Sequence, residues 1–167
     1  NILHALNVAG GIGENGSFRK IEHKRDGKSL GTFDLYDLMV FGNTFASEQI
    51  RAGDVIFVHP KSFNLIVSGG VNREGVFEIL PTETIEQAIS YAGGFSDSFY
   101  GLDYVNLQRV SNGSTTLSKI KISSIDKIAL QPRDILYLPF YDTEKLKVRQ
   151  VRISGMVNSP GTYSIDE

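Results

Sequence analysis

The sequence predicts an α+β fold in which one small unit, a hairpin followed by a short helix and then paired strands, occurs in tandem. Three observations carry this expectation. Residues 65–80 alternate apolar and polar positions as a half-buried hairpin does, a helical apolar stripe ending in Gly-Gly appears at both 1–11 and 84–94, and residues 151–165 repeat 65–79 nearly position for position.

The stretch 65–95 holds the unit unbroken. Leu65, Val67, Gly69 and Val71 fall on one side of the alternation, Arg73-Glu74-Gly75-Val76 reads as a tight turn using glycine at positive φ, and 76–80 returns as a second strand. Pro81 ends that strand. Thr84 with Gln87 three residues later has the form of a capping box, Ile85, Ala88, Ile89 and Ala92 form one apolar stripe, and Gly93-Gly94 stops the helix.

At the start of the chain, Asn1 caps a helix carrying Ile2, Ala5, Leu6 and Ala9, stopped by Gly10-Gly11. These residues match Thr84, Ile85, Ala88, Ile89 and Ala92 in turn. A strand is expected over 18–24, the turn Asp26-Gly27 follows, and 29–35 returns. The same events recur as 105–110, Asn112-Gly113 and 115–122, with Ile21 on Leu107 and Gly27 on Gly113. Leu38 and Ile125 mark short segments before two further strands, 50–58 and 130–138, each introduced by a turn containing Asp. In the final stretch Ser154, Gly155, Val157, Asn158, Gly161 and Tyr163 stand where Ser68, Gly69, Val71, Asn72, Gly75 and Phe77 stand earlier, and Pro160-Gly161 has the type II pattern.

The expected organisation is a first unit at 1–60 without its opening hairpin, a complete second unit at 61–147 closed by the polar linker 142–147, and the opening hairpin of a third at 148–167. A repeat of roughly 85 residues is too long for a solenoid and suits small domains in tandem. Because the chain begins on a helix pattern and ends just after a strand, it is expected to be a fragment of a longer protein. The first unit should then expose apolar surface and a free strand edge. The hairpin of 151–165 is expected to complete its sheet from a neighbouring molecule, giving a hairpin-exchanged dimer.

Composition narrows the function classes. Basic residues number 17 against 19 acidic, a formal charge of -2, which provides no field for gathering nucleic acid. Without cysteine there is no disulfide, thiolate metal site or cysteine nucleophile. No apolar run approaches the ~20 residues that span a bilayer as a helix.

Motifs of chemistry are weak. Gly11-Ile12-Gly13-Glu14-Asn15-Gly16 has dinucleotide-binding spacing but follows a helix and leads into a strand, the reverse of what that site needs. His4, His23 and His59 are far apart without a carboxylate at ligand spacing, and are expected at the surface or a sheet edge. Asp34 with Asp37 reads as a turn or solvated helix start rather than an acid/base pair. No catalytic residue, metal or cofactor is assigned.

The pattern of Val67 to Ile79, the helix end Ala92-Gly93-Gly94, the strand pair at 105–122 and the final strand at 133–138 resemble the soluble ligand-binding β-grasp (SLBB) domain of bacterial polysaccharide export proteins. The resemblance implies tandem β-grasp domains, each a mixed sheet of about five strands over one short helix. It also implies a non-enzymatic periplasmic module of an outer-membrane-associated exporter. Its partners would be further copies of itself in a ring, polysaccharide, and an inner-membrane export protein. A small-molecule-binding β-grasp module is the alternative. Within this frame the connector after the second Gly-Gly is the expected ligand contact: a sugar would stack on Phe99 or Tyr100 and bond to Asp97 or Asp103. Sealing a sheet edge or a subunit contact is the commoner role for such rings. Arg73 at the hairpin tip is a further candidate for glycan or subunit contact, with a solvated turn position as its plainer reading.

Overall fold

The structure is a computed structural model that describes residues 1–44, 49–99, 102–111, 113–140 and 149–165. Tyr100, Asn112 and the linker 142–147 lie outside the described residues.

Helix α1 (Ile2–Val8) starts at Asn1, whose side chain accepts the His4 amide. It stops in a Schellman arrangement, in which the Gly11 amide reaches back to the Leu6 carbonyl and the Gly10 amide to Asn7, with both glycines at positive φ. Strands β1 (Gly16–Arg25) and β2 (Lys28–Phe33) form a hairpin across Asp26-Gly27. Both turn residues have positive φ, the geometry that matches the twist of the flanking strands. After α2 (Leu35–Met39), β3 (Val55–Pro60) returns antiparallel to β1, giving a three-stranded sheet ordered β2-β1-β3.

The second sheet has five strands. β4 (Phe63–Gly69) and β5 (Gly75–Ile79) form its first hairpin, α3 (Ile85–Tyr91) crosses it, β6 (Tyr104–Ser111) and β7 (Ser114–Lys121) form a second hairpin, and β8 (Ile135–Leu138) enters the middle. The order is β5-β4-β8-β6-β7, with β4 and β8 parallel and every other pair antiparallel. This is an α+β fold with a mixed sheet, as expected. The capping box is present: Gln87 accepts from the Thr84 amide, and the Thr84 hydroxyl accepts from the Gln87 amide. The stripe Ile85, Ala88, Ile89 and Ala92 is buried against Leu65, Val67, Ile79, Leu107 and Leu136. A third, two-stranded sheet pairs β9 (Arg149–Ile153) with β10 (Gly161–Ile165). No helix among the described residues is long and apolar enough to cross a membrane.

The turns before β3 and β8 carry the same clamp. Asp54 holds Arg25 through two hydrogen bonds of 2.8 and 2.9 Å and accepts the Arg51 amide. Asp134 holds Arg109 at 2.9 and 2.7 Å and accepts the Gln131 amide. The clamps correct the alignment of Ile21 with Leu107. Two residues after Asp54, Ile56 pairs with His23, and two residues after Asp134, Leu136 pairs with Leu107. His23 therefore stands where the other sheet has Leu107. Far from lying at the surface, it is fully buried, with Nε2 2.8 Å from Asp54 Oδ2. His59 is 3.1 Å from Glu22, while His4 is exposed.

The glycines of the hairpins also differ from expectation. Gly75 and Gly161 begin strands and have no positive φ, so the type II turn does not form there. The left-handed positions are Gly69 (φ 92°) and Gly155 (φ 108°). A side chain at Gly69 would overlap the Leu138 carbonyl, because β4 and β8 run together at that point. Gly75 instead lies under the Phe77 ring, which an added Cβ would meet at 3.7 Å.

Strand β1 joins the two larger sheets through polar side chains. Its inward face is Ser17, Arg19, Ile21 and His23, all buried. Ser17 donates to Glu78 Oε1 at 2.7 Å, and the Phe18 amide donates to Glu78 Oε2 at 2.8 Å, so the start of β1 covers Glu78 on β5. Arg19 donates from Nε to Asp34 and from Nη1 and Nη2 to Glu83 at 3.0 and 2.7 Å. Its guanidinium lies 4.5 Å from the centre of the Tyr36 ring and 4.9 Å from that of Tyr91. Tyr91 in turn donates to Glu83, and the Glu78 amide donates to the Tyr36 hydroxyl. Burial works against the Arg19 charge, but its bonds to Glu83 and Asp34 hold the guanidinium above its ordinary range. Burial raises Asp34 and the Tyr91 hydroxyl. Asp34 also caps α2, so it is a helix start, with its side chain half-buried against Arg19.

Two outcomes follow. Arg19→Met leaves two carboxylates facing a buried space without their counter-charge, and is expected to lower unfolding stability by about 3 kcal/mol in urea titrations. Adding Glu83→Gln should restore part of the loss, and a change under about 1 kcal/mol for the single variant, typical of an exposed pair, would contradict the arrangement. The second outcome concerns acid. Hydrogen bonds from Arg25 and from the Arg51 amide hold Asp54 well below the usual carboxylate range. Its contribution is therefore fully present above its unfolded pKa of about 4 and is lost as pH falls toward the depressed folded value. Melting followed by circular dichroism from pH 7 to pH 2 should show a steeper acid loss for the native chain than for Asp54→Asn.

Candidate functional site

The loop that follows α3 is held by main chain on both sides. α3 ends in the second Schellman arrangement, with the Gly94 amide on the Ile89 carbonyl and the Gly93 amide on Ser90. The loop then runs beside the β4–β5 hairpin tip. The Asn72 amide donates to Gly94, the Arg73 amide to Ala92, and the Ser96 amide to Gly70. Val71 and Phe95 form an isolated antiparallel bridge. These bonds satisfy backbone groups that a buried loop would otherwise strand, and they fix where Phe95 stands.

A 3₁₀ turn over Asp97–Phe99 comes next. Phe99 is buried, with its side chain against Gly70, where an added Cβ would meet the Phe99 Cβ at 2.9 Å. Phe95 stacks on it, ring centres 4.6 Å apart and planes 20° from parallel, and remains 37% exposed. The pair presents one aromatic face to solvent. That face belongs to Phe95.

Around it lies an open groove of about 480 Å³ whose walls include Phe95, Ser96, Asp97, Asp103 and Ile122. Phe95 and Ile122 also border a second hollow of about 460 Å³, with Glu86, Ser123 and Asp126 on its far side. The charged side chains of both hollows, Asp97, Asp103, Glu86 and Asp126, are all acidic and exposed. Among the described residues no group of three His, Asp or Glu side chains is gathered to hold a metal ion.

Asp97, Phe99 and Asp103 are thus brought to one groove. Phe99 corrects the expectation of an exposed stacking ring: its neighbour takes the surface while Phe99 fills the space beside Gly70, where no side chain exists. Arg73 is elsewhere. It is exposed at the hairpin tip, donates to the Tyr91 carbonyl at 2.6 Å, and borders a smaller apolar recess of about 170 Å³ with Tyr36, Met39, Val40 and Phe77. Tyr100 lies outside the described residues. Phe95 is the contact that sequence reading missed. A large apolar residue immediately after a Gly-Gly helix stop was its only signal.

No curated protein matches the chain. Residues 66–117 match the SLBB domain family. The matched segment runs from within β4 to within β7 and includes α3, Phe95, Asp97, Phe99 and Asp103, although β8 lies beyond it. The part of the chain that builds most of the groove is therefore similar to an SLBB domain.

Proposed function

We propose that this domain binds carbohydrate in the groove over Phe95, as a non-enzymatic periplasmic part of an outer-membrane-associated polysaccharide export protein. The observation that carries the reading is the exposed face of the Phe95–Phe99 stack with Asp97 and Asp103 beside it. The apolar face of a pyranose can lie on an aromatic ring while carboxylates accept its hydroxyl protons, so ring and acids together fix orientation. The openness of the groove along Ile122 suits a chain passing over the surface. Because the charged walls are acidic, a neutral or amino-sugar glycan is favoured over a polyuronate, which would bring like charge to Asp97, Asp103, Glu86 and Asp126.

A second reading rests on the Arg73 recess. Its apolar and aromatic lining of Tyr36, Val40 and Phe77 is of the kind that takes a small molecule, and its volume of about 170 Å³ limits that molecule to a few heavy atoms rather than a chain.

Amide chemical shifts separate the two. Titration with neutral oligosaccharide should move residues 95–99, 102–103 and 122–126, whereas a small ligand in the recess should move 36–40, 73 and 77. Phe95→Ala should weaken oligosaccharide binding about tenfold, corresponding to about 1.4 kcal/mol of stacking, with little effect on folding because the ring is partly exposed. An oligouronate that binds as tightly as the neutral sugar, or an alanine variant with unchanged affinity, would overturn the groove assignment.

A further inference from the structure

We propose, resting on the reading of the groove as a carbohydrate site, that its glycan is an amino-sugar polymer with unacetylated amines. Two successive sugars of that polymer occupy the two hollows that meet at Phe95 and Ile122.

The two hollows are alike in size and in kind. One measures about 480 Å³ and carries Asp97, Asp103 and Ser96, and the other measures about 460 Å³ and carries Glu86, Asp126 and Ser123. Each has an apolar floor, from Phe99 and Leu102 in the first and from Ile89 and Ile125 in the second. Main chain fixes both pairs of walls: the Ile122 amide donates to the Asp103 carbonyl at 2.8 Å, and the Glu86 amide to the Ile125 carbonyl at 3.3 Å. A site for one sugar needs one such set. Two sets sharing the Phe95 ring suit a polymer that presents the same groups at each repeat.

The carboxylates of both hollows are free to meet a ligand. Asp54, Asp134 and Glu83 each hold an arginine. Among the described residues, by contrast, no donor reaches the carboxylate of Glu86, Asp97, Asp103 or Asp126, and no basic side chain borders either hollow. Clefts lined by one sign of charge with low-dielectric walls concentrate the opposite ion. A neutral sugar offers these carboxylates hydroxyl protons alone. A protonated sugar amine offers an ammonium, and hydrogen bonds between ionised groups are the stronger ones. Each exposed pair is weak by itself, so selectivity comes from repetition in adjacent hollows along one chain. A basic peptide matches the charge but brings no pyranose face to Phe95 and no row of hydroxyls to Ser96 and Ser123.

Tetrasaccharides of glucosamine and of N-acetylglucosamine, titrated while amide chemical shifts are followed, test the assignment. The free-amine oligomer should bind about tenfold more tightly at low ionic strength, and most of that advantage should vanish in about 0.5 M salt, where charges are screened within a few ångström. It should move residues 86, 89 and 122–126 together with 95–97 and 102–103. Asp97→Asn with Asp103→Asn, and separately Glu86→Gln with Asp126→Asn, should each lower the ratio of the two affinities about threefold, since each pair removes the charge of one hollow. Both variants should keep the native circular dichroism, because these carboxylates have no partner among the described residues. Tetralysine should displace the free-amine oligomer only at much higher concentration. Equal affinity for the two oligomers, a ratio unmoved by either pair, shifts confined to one hollow, or displacement by tetralysine at matching concentration would overturn the inference and leave the groove a site for neutral sugar. Shifts at residues 95–103 from neither oligomer would overturn the carbohydrate reading as well.

Discussion

A guanidinium buried between two sheets leaves the chain little choice in how those sheets meet. Arg19 spends its donors on Asp34 from its own half and on Glu83 and the Glu78 carbonyl from the other, with a tyrosine ring from each half against its planar faces. Coulomb attraction there is offset by the cost of taking three charges out of water, so the cluster is weak evidence for net stability. What it contributes is direction. A hydrophobic contact tolerates sliding, whereas a planar fork with carboxylates on two sides is satisfied in one orientation only.

The same constraint explains why part of the fold was hidden in the sequence. Elements whose signals are local were legible: the capping box at Thr84 and Gln87, both Gly-Gly stops, the Asp26-Gly27 turn and the apolar stripe of α3 arise from neighbours within a few residues. The inward face of β1 was not, because Ser17, Arg19 and His23 are polar residues at core positions and their partners lie as far away in sequence as Glu78 and Glu83. The expectation of a surface His23 failed for that reason. Apolar periodicity reports burial only when burial is satisfied by apolar contact.

The candidate site was half legible. Loop position and residue types pointed to Asp97, Phe99 and Asp103, which do share a groove. Which of two nearby phenylalanines faces solvent depended on Gly70, whose missing side chain makes room for Phe99. The turn glycines failed similarly. Gly69 is required by the passing Leu138 carbonyl, a contact between strands nearly seventy positions apart, and nothing in the local pattern distinguishes it from Gly75.

The loop carrying Phe95 is tied down by peptide groups, through Asn72 to Gly94, Arg73 to Ala92 and Ser96 to Gly70. Those attachments do not depend on which side chains project from positions 95, 97 and 103. Framework and specificity are therefore separable here: a new ring, amide or cation can be placed in the groove by substitution while its walls keep their position. One scaffold of this kind can serve chemically different ligands without being refolded for each.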